Sequence, residues 1–147
     1  MSTAVLDLAE LARACAATPA TWPVTPRVDP DRRWYSRIDA SEHHEVWLIS
    51  WAPGQGTDLH DHGGASGAFT VVAGALTEER PHHDTETHPR GTTVAFGAHH
   101  VHRLTNTGTE PALSVHVYAP RLTTMTRYAL DAAGLRVLGV DREGEAW

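Results

Sequence analysis

Three histidines, two of them close together in the sequence, are the residues of this chain best suited to hold a metal ion. His60 and His62 flank Asp61, and His102 follows forty residues later. On a β-strand, His60 and His62 point to the same side because side chains alternate between the two faces. Two imidazoles from one strand and a third from a neighbouring strand can cover one face of a metal ion. Three protein ligands with open positions are typical of a catalytic metal site.

A second group of polar residues occurs at strand spacing further along the chain. Ser114, His116 and Tyr118 alternate with Val115 and Val117. On a strand the polar side chains share one face, where each buried group without a partner costs about 1–3 kcal/mol. A mutual hydrogen-bond chain removes this cost, with Ser114 fixing the imidazole of His116 and His116 orienting the Tyr118 hydroxyl toward a metal cavity. The alternative is that this face is exposed to solvent.

The elements that must position these side chains are predicted to be a short helix followed by many strands. Apolar residues at helical spacing predict a helix over 3–17, and four prolines then predict an extended connector. Short apolar runs bounded by glycine and proline predict strands over 44–51, 68–76, 92–96, 101–106, 112–118 and 135–140. We therefore expect an all-β barrel or sandwich in a single domain, with residues 1–30 forming a helix and connector that pack on a barrel of residues 31–147.

Composition narrows the classes of partner. The net charge is −6 over 147 residues, and no run of basic residues occurs, which argues against binding to nucleic acid or to an acidic membrane surface. The single cysteine, Cys15, excludes an internal disulfide and fits a reducing compartment. No apolar run approaches the roughly 20 residues of a membrane span. We expect a cytoplasmic protein that is a monomer or a weak homo-oligomer.

Other histidines are weaker candidates for a role at the metal site. His99 and His100 lie just before His102, where they either tune the metal site or occupy the turn before a strand. The polar stretch 77–90 contains three more histidines and is predicted to be a solvated hairpin. We expect no metal ligand from it.

The order and spacing of these residues resemble the two-motif pattern of the cupin family. The first motif corresponds to Gly54-x5-His60-x-His62 with Gly74, and the second to Gly91-x10-His102-x3-Asn106. The glutamate usual in the first motif is replaced by Gly67, which leaves three histidine ligands. The second motif departs as well, with Gly97 and His99 in its Pro-x-Gly positions. The resemblance implies a double-stranded β-helix, a jelly-roll barrel.

Within the cupins, the chain is similar to thiol dioxygenases of the cysteine dioxygenase type, over about 35–128. The shared motifs are Tyr35-Ser36-Arg37, Trp51-x-Pro-Gly, His60-Asp-His-Gly, His102-Arg103-Leu104-x-Asn106, Ser114-x-His116-x-Tyr118, and Pro120 with Met125-x-x-Tyr128. The resemblance implies that Fe(II) is bound by His60, His62 and His102, that Ser114, His116 and Tyr118 form a relay beside it, and that Arg37, with Tyr118, holds the substrate. It also implies no tyrosine–cysteine crosslink, because the position of that cysteine is Gly67.

The expected activity is therefore the addition of O2 to the sulfur of a small carboxylate-bearing thiol, with L-cysteine as the first choice. The product would be a sulfinic acid. Alternatives are 3-mercaptopropionate or a bulkier thiol such as a thiol-imidazole amino acid, or a cupin with a different metal and reaction. A further alternative is a metal-dependent sensor or storage protein, against which the Ser114–His116–Tyr118 relay argues.

Overall fold

Antiparallel strands make up most of the chain in the computed structural model, which describes residues 7–143. The helix α1 (Leu8–Ala17) and a 3-10 turn (Pro19–Thr21) come first. The strands are β1 (Trp34–Ala40), β2 (Glu45–Trp51), β3 (Leu59–His60), β4 (Ser66–Ala73), β5 (Ala75–Glu79), β6 (Glu86–Pro89), β7 (Thr93–Phe96), β8 (Arg103–Thr105), β9 (Ala112–Ala119), β10 (Thr124–Asp131) and β11 (Gly134–Arg142). The start of the predicted helix, residues 3–6, lies outside the described residues. In residues 7–143, no helix has the length and apolar character needed to cross a membrane.

The strands form two facing layers. One layer is a five-stranded sheet in the order β1-β2-β9-β4-β7. The other consists of two three-stranded sheets, β11-β10-β3 and β6-β5-β8, which meet where His60 and His102 pair as an antiparallel bridge. Apolar side chains from both layers, among them Phe69 and Leu104, form one buried cluster between them. The predicted all-β class is confirmed, and the layers form a jelly-roll barrel.

Helix α1 covers the outer face of the five-stranded sheet. The Asp7 carboxylate caps the helix by accepting a hydrogen bond from the Glu10 N–H at 3.0 Å, which satisfies a donor that the first turn leaves free. Ala12 packs with Val115 and Val117 of β9 in a fully buried cluster. Because side chains on a strand alternate, this packing turns Ser114, His116 and Tyr118 toward the barrel interior.

Two strands, β1 and β10, were not expected from the sequence, whereas β3 contains part of the strand predicted at His60 and His62 and β6 belongs to the predicted hairpin of residues 77–90. Strands β1 and β6 lie at sheet edges, where polar side chains such as Arg37 and Asp39 are tolerated and the apolar alternation is lost. Strand β3 is only two residues long because the chain turns soon after it at Gly63 and Gly64, both of which have positive φ.

Gly74 and Gly91 allow a test of how the turns constrain the barrel. Both have positive φ, but a Cβ on Gly74 would lie 2.6 Å from the Pro111 carbonyl oxygen, whereas a Cβ on Gly91 would meet nothing within 4 Å. We expect Gly91→Ala to lower the free energy of unfolding by about 1–2 kcal/mol through left-handed backbone strain alone. Gly74→Ala should cost about 1–3 kcal/mol more because of overpacking. Urea denaturation of both variants measures this, and equal losses would contradict the contact at Gly74.

Candidate metal centre

The three predicted histidines form a buried triangle at the junction of the two three-stranded sheets. Their ring centroids lie 4.8 Å (His60–His102), 4.9 Å (His60–His62) and 5.0 Å (His62–His102) apart. One nitrogen from each ring lies within 4.8 Å of the others, close enough to share one ion. The backbones of His60 and His102 exchange two hydrogen bonds, at 2.9 and 3.1 Å, which sets the separation of these two rings.

Asp61 explains why His60 and His62 remain on one side although β3 ends at His60. The Asp61 N–H donates to the Thr126 carbonyl at 3.0 Å, and the Asp61 carboxylate accepts from the Thr126 N–H and the Tyr128 hydroxyl. The backbone thus stays paired with β10 for one more residue, with Asp61 pointing away from the triangle. The alternation expected of a strand therefore holds through His62.

Hydrogen bonds determine which ring nitrogens are available to a metal. His60 Nδ1 donates to the Asp58 carbonyl at 2.8 Å, and His102 Nδ1 donates to the Glu78 carboxylate at 2.7 Å. Because both acceptors can only accept, Nε2 of each ring carries no proton when the imidazole is neutral. Neither ring nitrogen of His62 has a hydrogen-bond partner among residues 7–143. A buried imidazole without partners is costly by itself and is explained by an ion at the centre of the triangle.

The electrostatics keep the triangle neutral. Burial, reinforced by repulsion from His102, lowers the pKa of His60 to about 3. The same causes lower the pKa of His62 well below its usual value. Burial also lowers the pKa of His102, although the Glu78 carboxylate opposes this. Neutral imidazole is the form that binds metal ions, so these residues fit a metal at neutral pH.

The polar face of β9 lies beside this triangle and is buried, so the alternative of a solvent-exposed face is wrong. Ser114 Oγ and His116 Nε2 are 2.7 Å apart, and the Trp51 indole N–H donates to the same Oγ at 2.9 Å. The predicted hydrogen bond from His116 to the Tyr118 hydroxyl is not formed in the described chain; the two rings stack instead, with centroids 6.4 Å apart. Burial lowers the pKa of His116 to about 3 and raises the pKa of Tyr118 above its usual value.

The position of the missing cupin glutamate is filled by an aromatic ring. Gly67 pairs with Tyr118 across β4 and β9, and a Cβ on Gly67 would lie 2.5 Å from the Phe96 ring. That ring stacks on His62, with centroids 4.6 Å apart. A side chain at position 67 would displace Phe96, so this wall of the site is apolar and has no carboxylate ligand.

A cavity of about 420 Å³ opens beside the triangle, within the range of small-molecule sites. His60, His102, His116 and Tyr118 are among its lining residues. Arg33 also lines it, with its guanidinium carbon 5.4 Å from the centre of the Trp51 ring. The Trp47 indole N–H is buried in the same wall without a hydrogen-bond partner in the described chain.

A family model for cysteine dioxygenase type I matches residues 2–131. The chain belongs to this family. Membership implies a dioxygenase, and therefore an enzyme, and the buried histidine triangle is a group that could hold its metal ion.

Solved structures support the fold. TT1209 from Thermus thermophilus is 24% identical with a TM-score of 0.60, covering 65% of this chain and 90% of its own. An RmlC-like cupin from Desulfovibrio desulfuricans is 17% identical with a TM-score of 0.59, over 67% and 92% of the two chains. A Klebsiella pneumoniae protein with a double-stranded β-helix domain is 19% identical with a TM-score of 0.59, over 92% and 97%. The predicted cupin fold is thereby confirmed.

Arg37, which the family resemblance suggested as the substrate's partner, does not line the cavity formed by the described residues. Its guanidinium is partly exposed and forms an ion pair with the buried carboxylate of Glu45 at 3.5 Å. Arg33 lies in the cavity instead. The signal that could have found it is alternation, since Arg33 lies just before β1 and two residues before Tyr35, but the sequence analysis did not predict this strand.

Glu78 and His88 are the other site residues that sequence reasoning missed. The stretch 77–90 does contain the hairpin of β5 and β6, but both of these side chains are buried. His88 and His100 donate to the Glu78 carboxylate at 2.9 and 3.2 Å, while His99 lies in the turn. Burial raises the pKa of Glu78, but the hydrogen bonds from His100, His102 and His88 outweigh it and hold that pKa below its usual range. The available signal was the alternation of side chains along a strand, which places Glu78 on the same face as the buried Leu76.

The neutral, buried state of His116 predicts a pH dependence of stability in the metal-free protein. The pKa of His116 is about 3 when folded, against about 6.5 when unfolded. Between these values only the unfolded chain binds the proton, so stability is greatest above pH 6.5 and falls as the pH decreases. From pH 7 to pH 5, His116 should contribute a loss of about 2 kcal/mol.

Urea denaturation at both pH values measures this contribution. His116→Gln should reduce the difference in unfolding free energy between pH 7 and pH 5 by about 2 kcal/mol. His43→Gln, at an exposed position, should leave that difference unchanged. An unaltered pH dependence in His116→Gln would show that His116 is not held neutral.

Proposed function

We propose that this protein is an Fe(II)-dependent thiol dioxygenase that converts a small carboxylate-bearing thiol, R–SH, and O2 into the sulfinic acid R–SO2H. L-cysteine is the first choice of substrate. The observation that supports this most directly is the triangle of His60, His62 and His102: neutral, buried and without a carboxylate ligand, in a chain of the cysteine dioxygenase type I family.

The three histidines would hold the iron through Nε2 of His60 and His102 and one ring nitrogen of His62. Fe(II) bound there supplies the redox chemistry with O2 and favours a thiolate over a thiol, because neutral ligands leave its charge of 2+ uncompensated. Phe96 stacks on His62 and closes one side of the site against water. The cavity beside His60 and His102 leaves room for substrate on the other side.

The cavity lining favours an anionic head group. Arg33 and Tyr118, whose side chains carry hydrogen-bond donors, are among its lining residues. The carboxylates on the same wall, Asp58 and Asp141, are paired with Arg127 at 3.2 and 3.0 Å. We therefore assign Arg33, rather than Arg37, as the partner of a substrate carboxylate through a charge-assisted contact.

Ser114, His116 and Tyr118 support the reaction from β9. The Trp51–Ser114–His116 hydrogen bonds hold the imidazole in place, and the imidazole stacks on Tyr118. Because burial raises the pKa of Tyr118, its hydroxyl stays protonated at neutral pH. Tyr118 would thus donate a hydrogen bond to the reacting oxygen or to the substrate head group.

3-Mercaptopropionate is the second candidate substrate. The cavity wall offers donors for a carboxylate, and because its two carboxylates at Asp58 and Asp141 already pair with Arg127, binding does not depend on an ammonium group of the substrate. A thiol with a carboxylate and no amino group fits this lining.

Oxygen consumption by the iron-loaded protein tests the proposed reaction. After anaerobic loading with Fe(II), we expect thiol-dependent uptake of one O2 per sulfinic acid with L-cysteine or 3-mercaptopropionate, and little with cysteamine, which lacks the carboxylate. Protein loaded with Zn(II) should be inactive because zinc has no redox chemistry. An iron-loaded protein that consumes no O2 with any of these thiols would reject the proposal.

Two arginine variants test which side chain binds the carboxylate. Arg33→Gln should raise KM for the preferred thiol by about 10–100-fold, as expected for loss of a charge-assisted hydrogen bond of about 1.5–3 kcal/mol. Arg37→Gln should change KM by less than about 3-fold, since its partner is Glu45. Steady-state oxygen uptake measures both values. A larger rise in KM for Arg37→Gln than for Arg33→Gln would indicate that Arg37 binds the substrate carboxylate.

A further inference from the structure

A buried carboxylate lies directly behind one of the proposed metal ligands. Glu78 on β5 is 3% exposed and points into the barrel. Its Oε2 accepts the N–H of His102 Nδ1 at 2.7 Å and that of His100 Nε2 at 3.2 Å, while its Oε1 accepts from His88 Nε2 at 2.9 Å. The shortest of these hydrogen bonds is the one to His102.

The geometry of this bond determines the orientation of His102. Nδ1 and Nε2 lie on opposite sides of an imidazole ring, so a ring that donates Nδ1–H to Glu78 directs an unprotonated Nε2 toward the histidine triangle. The His100 ring stacks on both Phe96 and His62, with centroids 4.6 and 6.4 Å away, and these contacts limit its freedom to move away from Glu78. The carboxylate is therefore held in place from one side and orients His102 on the other.

We propose that Glu78 is a positioning residue of the metal centre, which fixes His102 as an Nε2 ligand and places a negative charge one imidazole away from the metal. This rests on the proposed function only in assuming that the triangle binds a metal. Gly67 and Phe96 leave no carboxylate at the position of the glutamate usual in the first cupin motif. Glu78 supplies a carboxylate that hydrogen-bonds to His102 instead of binding the metal itself. This hydrogen bond makes the His102 imidazole a stronger electron donor to the metal.

Metal binding by charge-altered variants tests this role without relying on turnover. Glu78→Gln keeps the size of the side chain and removes its charge. Glu79→Gln is the matched control: the same substitution at the next residue, at an exposed carboxylate that pairs with Arg103 at 3.5 Å. The probe is Fe(II) itself, titrated anaerobically against a coloured chelator, followed by the midpoint potential of the Fe(III)/Fe(II) couple.

We expect Glu78→Gln to weaken Fe(II) binding by about 10–100-fold and to raise the midpoint potential, because the lost charge stabilises Fe(III) more than Fe(II). Glu79→Gln should match the wild type in both. A purely structural role for Glu78 would lower the melting temperature and leave the affinity and potential of the folded protein unchanged. That result would overturn the proposal.

A measurement on the wild type covers the case in which Glu78→Gln does not fold. ¹⁵N NMR of the histidine side chains in the metal-free protein should show His102 protonated at Nδ1 and unprotonated at Nε2. Protonation at Nε2 would overturn the proposal. Failure of the proposed function is distinct from either result, since it would appear as iron-loaded wild type without thiol-dependent oxygen uptake.

Discussion

The backbone pair between His60 and His102 is the contact on which the site depends. Two hydrogen bonds, 2.9 and 3.1 Å long, connect the sheet of β3 to the sheet of β8 and so complete the second layer of the barrel. The same two bonds set how far apart two proposed ligands lie. Closure of the barrel and assembly of the metal centre are therefore one structural event, and a change in strand register at this point would disrupt both.

Strand β9 packs against the apolar core with one face and lines the candidate site with the other. Its valines are buried against α1, and its polar residues are buried beside the cavity, so both faces of the strand are covered by other parts of the protein. Burial of polar groups is tolerated because Trp51 and Ser114 supply hydrogen bonds beside His116. Helix α1 contributes to the site indirectly, because its apolar contacts determine which face of β9 looks inward.

Charge is distributed so that the proposed metal ligands stay neutral while charged side chains lie around them. Burial keeps His60 and His62 uncharged. The nearest anion, Glu78, lies behind His102, and a cationic side chain, Arg33, lies across the cavity. A substrate with a carboxylate and a thiolate would meet Arg33 at one end and the metal at the other. This separation of charges supports the proposed small anionic thiol as substrate.

Much of the fold and the centre of the site could be predicted from residue types and spacing. The His60-x-His62 pair and His102, the alternating pattern of β9 and the helix before the barrel are local patterns, and the structure shows each of them. The edge strand β1 could not be predicted, because its polar side chains leave no apolar alternation along the sequence. The burial of Glu78 was missed for a similar reason, since a charged residue in a hairpin normally faces solvent.

By itself, the sequence determined the family, the all-β class and the three imidazoles, because these depend on motifs and strand periodicity. Only the tertiary structure decided which charged side chains surround them. Arg33 rather than Arg37 lines the cavity, and Glu78 lies behind His102, because strand register and packing between layers bring together residues that are distant in sequence. The residues next to a charged side chain in the sequence do not indicate which residue it will pair with. Its burial is set by elements that pack against it from elsewhere in the chain.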